Sequence, residues 1–199
     1  MKVILLSLAF CAIITTGKAQ SALLANNTVK TQSANAVKPK ADAMDPKKNI
    51  PENLSAVNFS EFFLKALKAS DLVETFNNTG PLTVFLPVDS AFNKFSKGRL
   101  DSLLMPENKY DLIELLTYHA LPGNVREKDI AKHIKRGKGK TSFQTIAGAW
   151  VTATFNNNGD IILTDERGGK SNIVTSNLKQ KNGVVHIVSA VLMPRLQPI

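Results

Sequence analysis

The chain is poor in the residue types that carry chemistry. Its 199 residues include one cysteine, one tryptophan, two tyrosines and three histidines. A lone cysteine excludes an internal disulfide. Cys11 also lies in an N-terminal segment expected to be removed, which leaves no thiolate ligand and no thiol nucleophile. His119, His133 and His186 are far apart, and no H-E-x-x-H helix sets two of them on one face. The serines lack a G-x-S-x-G elbow, and no glycine-rich loop follows a strand and opens a helix as a phosphate cradle requires. Asp89, Asp101, Asp129 and Asp165 are scattered and read as caps or surface charges. The expectation is therefore no enzyme, no metal and no cofactor.

Acidic residues are scarce too. Against 25 Lys and Arg there are 16 Asp and Glu, a formal charge of +9, and no acid occurs between Asp129 and Asp160. Lys132, Lys135, Arg136, Lys138 and Lys140 fall in that acid-free span and read as a flexible basic loop, since Gly137 and Gly139 interleave with them. Such a run meets anionic polysaccharide, anionic lipid headgroups or extracellular DNA, or is simply solvated.

What the chain does have begins with a targeting signal. Lys2 is a short positive region, Val3–Ile14 is apolar, and Gly17-Lys18-Ala19 places small residues where a signal peptidase reads. Cleavage is expected between Ala19 and Gln20, so residues 1–19 are a signal peptide. The mature protein is then secreted, periplasmic or on the cell surface, by a bacterial secretory route. The competing reading, a lipoprotein signal on Cys11, places bulky Phe10 where a small residue belongs. Loss of Lys2 and Lys18 takes the charge from +9 to +7. The apolar stretch is too short to span a bilayer, so no transmembrane segment is expected in the mature chain. Residues 20–49 are rich in Asn, Thr, Ser, Ala and Lys with no aromatic residue, and read as a flexible linker. The segment Asp45–Asn53 is expected to pack onto the domain that follows.

From Ile50 the pattern becomes globular. Phe59, Phe62, Phe63, Ala66 and Leu67 recur at helical spacing behind Asn58, a candidate N-cap. Leu72–Phe76 predicts a short helix and Leu82–Leu86 a strand stopped by Pro87, with Asp89 capping a helix through Phe95. Asp101–Leu104, Asn108–Thr117 and Glu127–Ile134 are helical, and Tyr110, Ile113, Leu116 and Thr117 share a face. Strands then follow: Ser142–Ile146, Trp150–Asn156, Ile161–Thr164, Ser171–Thr175 and Val184–Val188. Asn157-Asn158-Gly159-Asp160 is a hairpin turn. Helices first and strands later predict an α+β fold.

Three motifs in this order carry a resemblance: Thr83-Val84-Phe85-Leu86-Pro87-Val88-Asp89-Ser90-Ala91-Phe92, Tyr118-His119, and Asn182-Gly183-Val184-Val185-His186-Ile187-Val188-Ser189-Ala190-Val191-Leu192-Met193-Pro194. With the lead-in Ile50–Leu54 and the Asp129-Ile130 step, residues 50–196 resemble a fasciclin domain. Val88 and Ser189 depart from the family's usual Thr and Asp without removing a core position. The resemblance implies a fasciclin-type wedge of two β-sheets with short helices packed along one edge. It also implies a non-catalytic role in cell adhesion or contact with the cell surface or extracellular matrix. In animal relatives a Tyr-His segment and an Asp-Ile step are linked to adhesion receptors. Here they correspond to Tyr118-His119 and Asp129-Ile130.

Each candidate residue also has a structural reading. His119 and His186 sit in apolar runs, the setting of hydrogen-bonded core histidines. Tyr118 and Ile130 suit a core, and Asp129 suits the first turn of a helix. Trp150 falls on the polar face of its strand, with Thr152, Thr154 and Asn156. It either stacks on a sugar or partner, or covers the core edge beside a helix.

The expected partners are a cell-surface or matrix protein or an anionic polysaccharide, met by a monomer. Specific nucleic-acid binding is not expected, because no such motif is present and export separates the chain from the genome. Two alternatives to adhesion stand: a periplasmic or extracellular polysaccharide- or small-ligand-binding module using the basic loop and Trp150, or an enzyme of unrecognised type.

Overall fold

The computed structural model describes residues 44–195. Residues 1–19, expected as a signal peptide, residues 20–43 of the expected linker and residue 196 of the expected domain lie outside the described residues. The rest of the lead-in is tied to the domain. Met44 is buried in the core, the Asp45 N–H donates to Asn53 Oδ1 at 2.8 Å, and the Lys181 N–H donates to Lys48 O at 2.9 Å.

The first half is helical: α1 (Ile50–Leu54), α2 (Glu61–Ala69), α3 (Val73–Asn78), α4 (Lys97–Leu103) and α5 (Lys109–Tyr118), with β1 (Leu82–Pro87) between α3 and α4. The second half runs β2 (Ala120–Pro122), α6 (Glu127–Arg136), β3 (Lys140–Gln144), β4 (Trp150–Phe155), β5 (Ile161–Thr164), β6 (Lys170–Gln180) and β7 (Gly183–Val188). The fold is mixed α+β.

The strands form one seven-stranded sheet in the order β2-β1-β7-β6-β5-β4-β3, where two sheets were expected. The reason is β6. Lys170, Ser171 and Asn172 pair with β5, while Ile173 to Gln180 pair with β7 through shifts in register between Ile173 and Thr175 and between Thr175 and Leu178. Such bulges bend a strand, so one long strand serves both halves of the sheet. The two ends of the order also meet. The Ile146 N–H, beyond β3, donates at 2.8 Å to Ala120 O of β2.

At the centre β1 and β7 run parallel, from Leu82 opposite Gly183 to Pro87 opposite Val188. Every residue of both strands is buried, as expected of a parallel pair covered on both faces. Leu82, Val84, Leu86, Val185 and Ile187 face a core shared with Ile50, Leu54, Phe63, Leu67 and Phe76 of the helices. Phe85 and Val188 face a second core with Ile130 and Ile134 of α6 and Val151, Ala153 and Leu163 of β4 and β5. Full burial of each such side chain contributes about 2 kcal/mol. Gly183 is required by close approach, because a Cβ there would lie 1.9 Å from Leu82 O.

Two local expectations change. The helix predicted behind Asn58 starts at Glu61, and its first N–H groups are satisfied from elsewhere. Asp89 Oδ2 accepts from the Glu61 N–H and Oδ1 from the Phe62 N–H, both at 2.9 Å. The carboxylate of Asp89 thus caps α2, while Asp89 itself opens a 3-10 turn. In α5 the buried residues are Leu112, Leu115, Leu116 and Tyr118, and Tyr110 is 84% exposed. Leu112, Leu115, Leu116 and His119 follow the i, i+3, i+4, i+7 spacing of one helix face.

Candidate binding surface and its buried supports

The residues named from the sequence divide into a buried set and an exposed set. Tyr118, His119 and Ile130 are buried, at 0%, 1% and 0% exposure, and leave a partner no surface to touch. Tyr118 ends α5, and its hydroxyl donates to Trp150 O at 2.8 Å and accepts from the Glu166 N–H at 3.2 Å. Burial pushes this phenol well above its usual range, with the Glu166 and Asp165 carboxylates adding to the effect. It stays a neutral hydrogen-bonding pin between α5, β4 and the β5–β6 turn.

The bonding pattern settles the protonation of both buried histidines. The Leu192 N–H must donate, and it reaches His119 Nε2 at 3.0 Å. The proton therefore sits on Nδ1, which donates to Leu115 O at 2.8 Å. Burial lowers the pKa of His119 to about 4. In His186, Nδ1 accepts from the Asn177 N–H at 3.4 Å, so the Nε2–H donates to Val125 O at 2.9 Å. Burial lowers its pKa as well. Both rings are neutral near pH 7 and act as bridges between backbone segments. His133 is exposed on α6 and lies against Phe143, ring centroids 5.7 Å apart. Among the described residues no group of three His, Cys, Asp or Glu side chains is placed to hold a metal ion.

Three of the scattered carboxylates, Asp89, Asp129 and Asp165, are structural, while Asp101 is exposed. Asp129 Oδ2 accepts from the Arg126 N–H at 3.1 Å and caps α6. Asp165 is buried; it accepts from the Gly169 N–H at 2.7 Å and from the Met193 N–H at 2.9 Å. Ser189, standing where the family often has Asp, still makes a polar contact, with its Oγ accepting from the Asn172 N–H at 3.0 Å.

The exposed set is Lys132, Lys135, Arg136, Lys138, Lys140 and Trp150. The basic stretch is not a long loop. Helix α6 continues through Arg136, a three-residue turn follows, and Lys140 already belongs to β3. Lys135 and Arg136 occupy the last turn of α6, where cations complement the helix dipole. None of the five enters the two ion pairs found among the described residues, Lys65–Glu61 and Lys109–Asp71. Trp150 is 50% exposed, opposite Gln144 of β3 on the outer face of the sheet. The structure does not gather Trp150 and the α6 cations into one site. Ile130 and Ile134 turn α6 toward the inner side of the same strands, away from the Trp150 face.

One concavity was not legible in the sequence. It is an open groove of about 640 Å³ between the start of α6 and the β6–β7 pair, lined by Asn124, Arg126, Lys128, Asn177 and Lys179 among others. Its single sequence signal is Asn177, whose φ of +62° in the middle of a strand is a backbone state Asn tolerates.

Comparison with known proteins fits this architecture. The family model described as Fasciclin domain matches residues 58–194. The chain belongs to the fasciclin domain family. It is similar to protein sll1483 of Synechocystis sp., 33% identical over 129 residues, covering 65% of this chain and 64% of that protein. It is also similar to immunogenic protein MPB70 of Mycobacterium bovis, 30% identical over 124 residues, covering 62% of this chain and 55% of that protein. The fasciclin chain thus spans less than two thirds of either relative. Among solved structures, a FAS1 domain pair from the insect cell adhesion molecule Fasciclin I aligns with a TM-score of 0.63 at 19% identity. It covers 75% of this chain and 51% of that one, a likeness of fold. Among the described residues no helix is long and apolar enough to cross a membrane.

Proposed function

We propose that this chain is an exported, non-catalytic fasciclin-domain protein that works by binding, in cell adhesion or contact with the cell surface or matrix. The N-terminal signal at residues 1–19 supports export. Residues 20–49 space the domain from its site of attachment, and the domain occupies residues 50–196 as a monomer. The insect protein that shares the fold is described as a cell adhesion molecule.

One observation carries the reading: the residues with chemical potential are engaged inside the fold, and the free charge lies outside it. His119, His186 and Tyr118 bind backbone groups, whereas the cations of α6 and its following turn enter no ion pair among the described residues. Such a surface suits an anionic partner in the envelope or matrix. Asp129 and Ile130 serve it indirectly, by capping and anchoring α6.

Deleting the protein tests the reading. Weakened cell aggregation and surface attachment, restored by the full chain, is the expected outcome. Unchanged attachment and aggregation contradicts it. The half-exposed Trp150 supports a second reading, a polysaccharide-binding module in which a sugar ring stacks on the indole. Trp150→Ala then abolishes retention on a neutral glycan.

A further inference from the structure

The groove beside α6 is a built feature, held open from beneath by His186. One wall is the 123–126 segment. There the Thr83 hydroxyl donates to Gly123 O at 2.7 Å and accepts from the Val125 N–H at 2.8 Å. The other wall is the bulge of β6. His186 lies buried below both, donating to Val125 O at 2.9 Å and accepting from the Asn177 N–H at 3.4 Å. The buried imidazole therefore fixes the distance between the walls.

The lining is strongly biased in charge. Arg126, Lys128 and Lys179 are exposed in it and enter no ion pair among the described residues. Glu127 is the one acid of the lining. Its carboxylate is turned onto the β6 bulge, where the Ser176 hydroxyl and the Asn177 amide, the latter at 3.2 Å, donate to it. Asn177 Oδ1 in turn accepts from the Glu127 N–H at 2.9 Å, which locks the two walls together. Three cations and the exposed Asn124 amide remain to meet a ligand.

We infer that this groove is a binding site for a carboxylate-bearing polysaccharide, a chain of uronic acid units. Arg126, Lys128 and Lys179 hold its carboxylates, and Asn124 bonds its hydroxyls. The inference rests on the reading of this chain as a binding module and names the partner's chemistry. Three cations unpaired among the described residues and an exposed amide in one groove match a polymer that carries both carboxylates and hydroxyls. An acidic peptide is disfavoured because the lining offers only Ala131 and Val184 as apolar contacts, too little for a side-chain anchor.

The test is calorimetric titration of the full mature chain with a galacturonic acid hexasaccharide. The comparison ligands are its carboxyl-reduced neutral counterpart and a hexaglutamate peptide. The acidic sugar is expected to bind, the neutral one not, and the peptide more weakly than the sugar. The triple variant Arg126→Gln, Lys128→Gln, Lys179→Gln is expected to lose at least about tenfold in affinity, since each charge-assisted contact is worth about that factor. A variant of equal charge change on distant exposed lysines, Lys68→Gln, Lys94→Gln, Lys97→Gln, is expected to bind as the parent does. Three results overturn the inference: equal affinity in the groove variant, tighter binding of the peptide, or loss confined to a Lys135→Gln, Arg136→Gln, Lys138→Gln variant. Failure here leaves the attachment phenotype untouched, so it is distinguishable from failure of the adhesive reading.

Discussion

The β1–β7 pair and the α6 region use polar residues in opposite ways. In the central pair every residue is buried, and its polar members, Thr83 and His186, have their bonding atoms on backbone. In α6 and its flanks, Arg126, Lys128, Lys132, Lys135, Arg136 and Lys138 are all exposed and enter no ion pair among the described residues. A motif that identifies the family is thus a statement about the scaffold. The surface proposed to meet a partner is set by residues the motif does not contain. His186 joins the two regions, because it is buried in the first and spaces the walls of the groove in the second.

This contrast predicts large stability effects at the centre and small ones on α6. The largest is expected for Phe85→Ala, which empties a fully buried ring site and costs about 4 kcal/mol in denaturant unfolding. A loss below about 1 kcal/mol would break the contrast.

His119→Leu comes next, at about 2 to 3 kcal/mol, because the buried Leu192 N–H and the Leu115 carbonyl lose their partner. The same ring predicts acid sensitivity. Its pKa is lowered to about 4 in the fold from 6.5, so between those values the unfolded chain binds the proton and the folded chain does not. Stability from this site is therefore complete above about pH 6.5, falls as pH drops toward 4 by up to roughly 3 kcal/mol, and levels off below. Unfolding curves across that window should be flatter for His119→Leu than for the parent.

Asp89→Ala is expected to cost about 1 to 2 kcal/mol, since it uncaps two N–H groups of α2. The smallest effect sharpens the contrast from the other side. Arg126→Gln, Lys128→Gln and Lys179→Gln should each shift stability by no more than about 0.5 kcal/mol, as exposed charges do. A larger loss would show that these cations belong to the scaffold.

The ordering also separates what the sequence could reveal from what it could not. Strands β1, β4, β5 and β7 were legible because their apolar residues either alternate or run unbroken between turn residues. The 156–160 turn was legible from Asn158-Gly159, where Gly159 takes a φ of +85°. The second half of β6 was not. Its bulge breaks the two-residue period, and Asn177 reads as loop chemistry. Strand β2 is three residues ending in proline, too short for any periodicity. The start of α2 was hidden because its cap, Asp89, follows 28 residues later.

The site divides in the same manner. The cations of α6 were visible as a run along the chain. The groove was not, because it is assembled across the fold, with Glu127 and Asn177 bonded at a separation of 50 residues. Arg126, Lys128 and Lys179 have no local pattern that marks them as neighbours. The Tyr118-His119 and Asp129-Ile130 steps were conspicuous because each is contiguous in the chain; Tyr118 and His119 tie α5 to Trp150, Glu166 and Leu192, and Asp129 and Ile130 cap and anchor α6.

The most direct test of this division is backbone amide chemical-shift mapping of the mature chain titrated with the galacturonic acid hexasaccharide. The account predicts shifts concentrated at residues 124–131 and 177–184, with the amides around Trp150 and in α2 to α5 unmoved. Shifts centred on Trp150, or on the turn after Arg136, would contradict it.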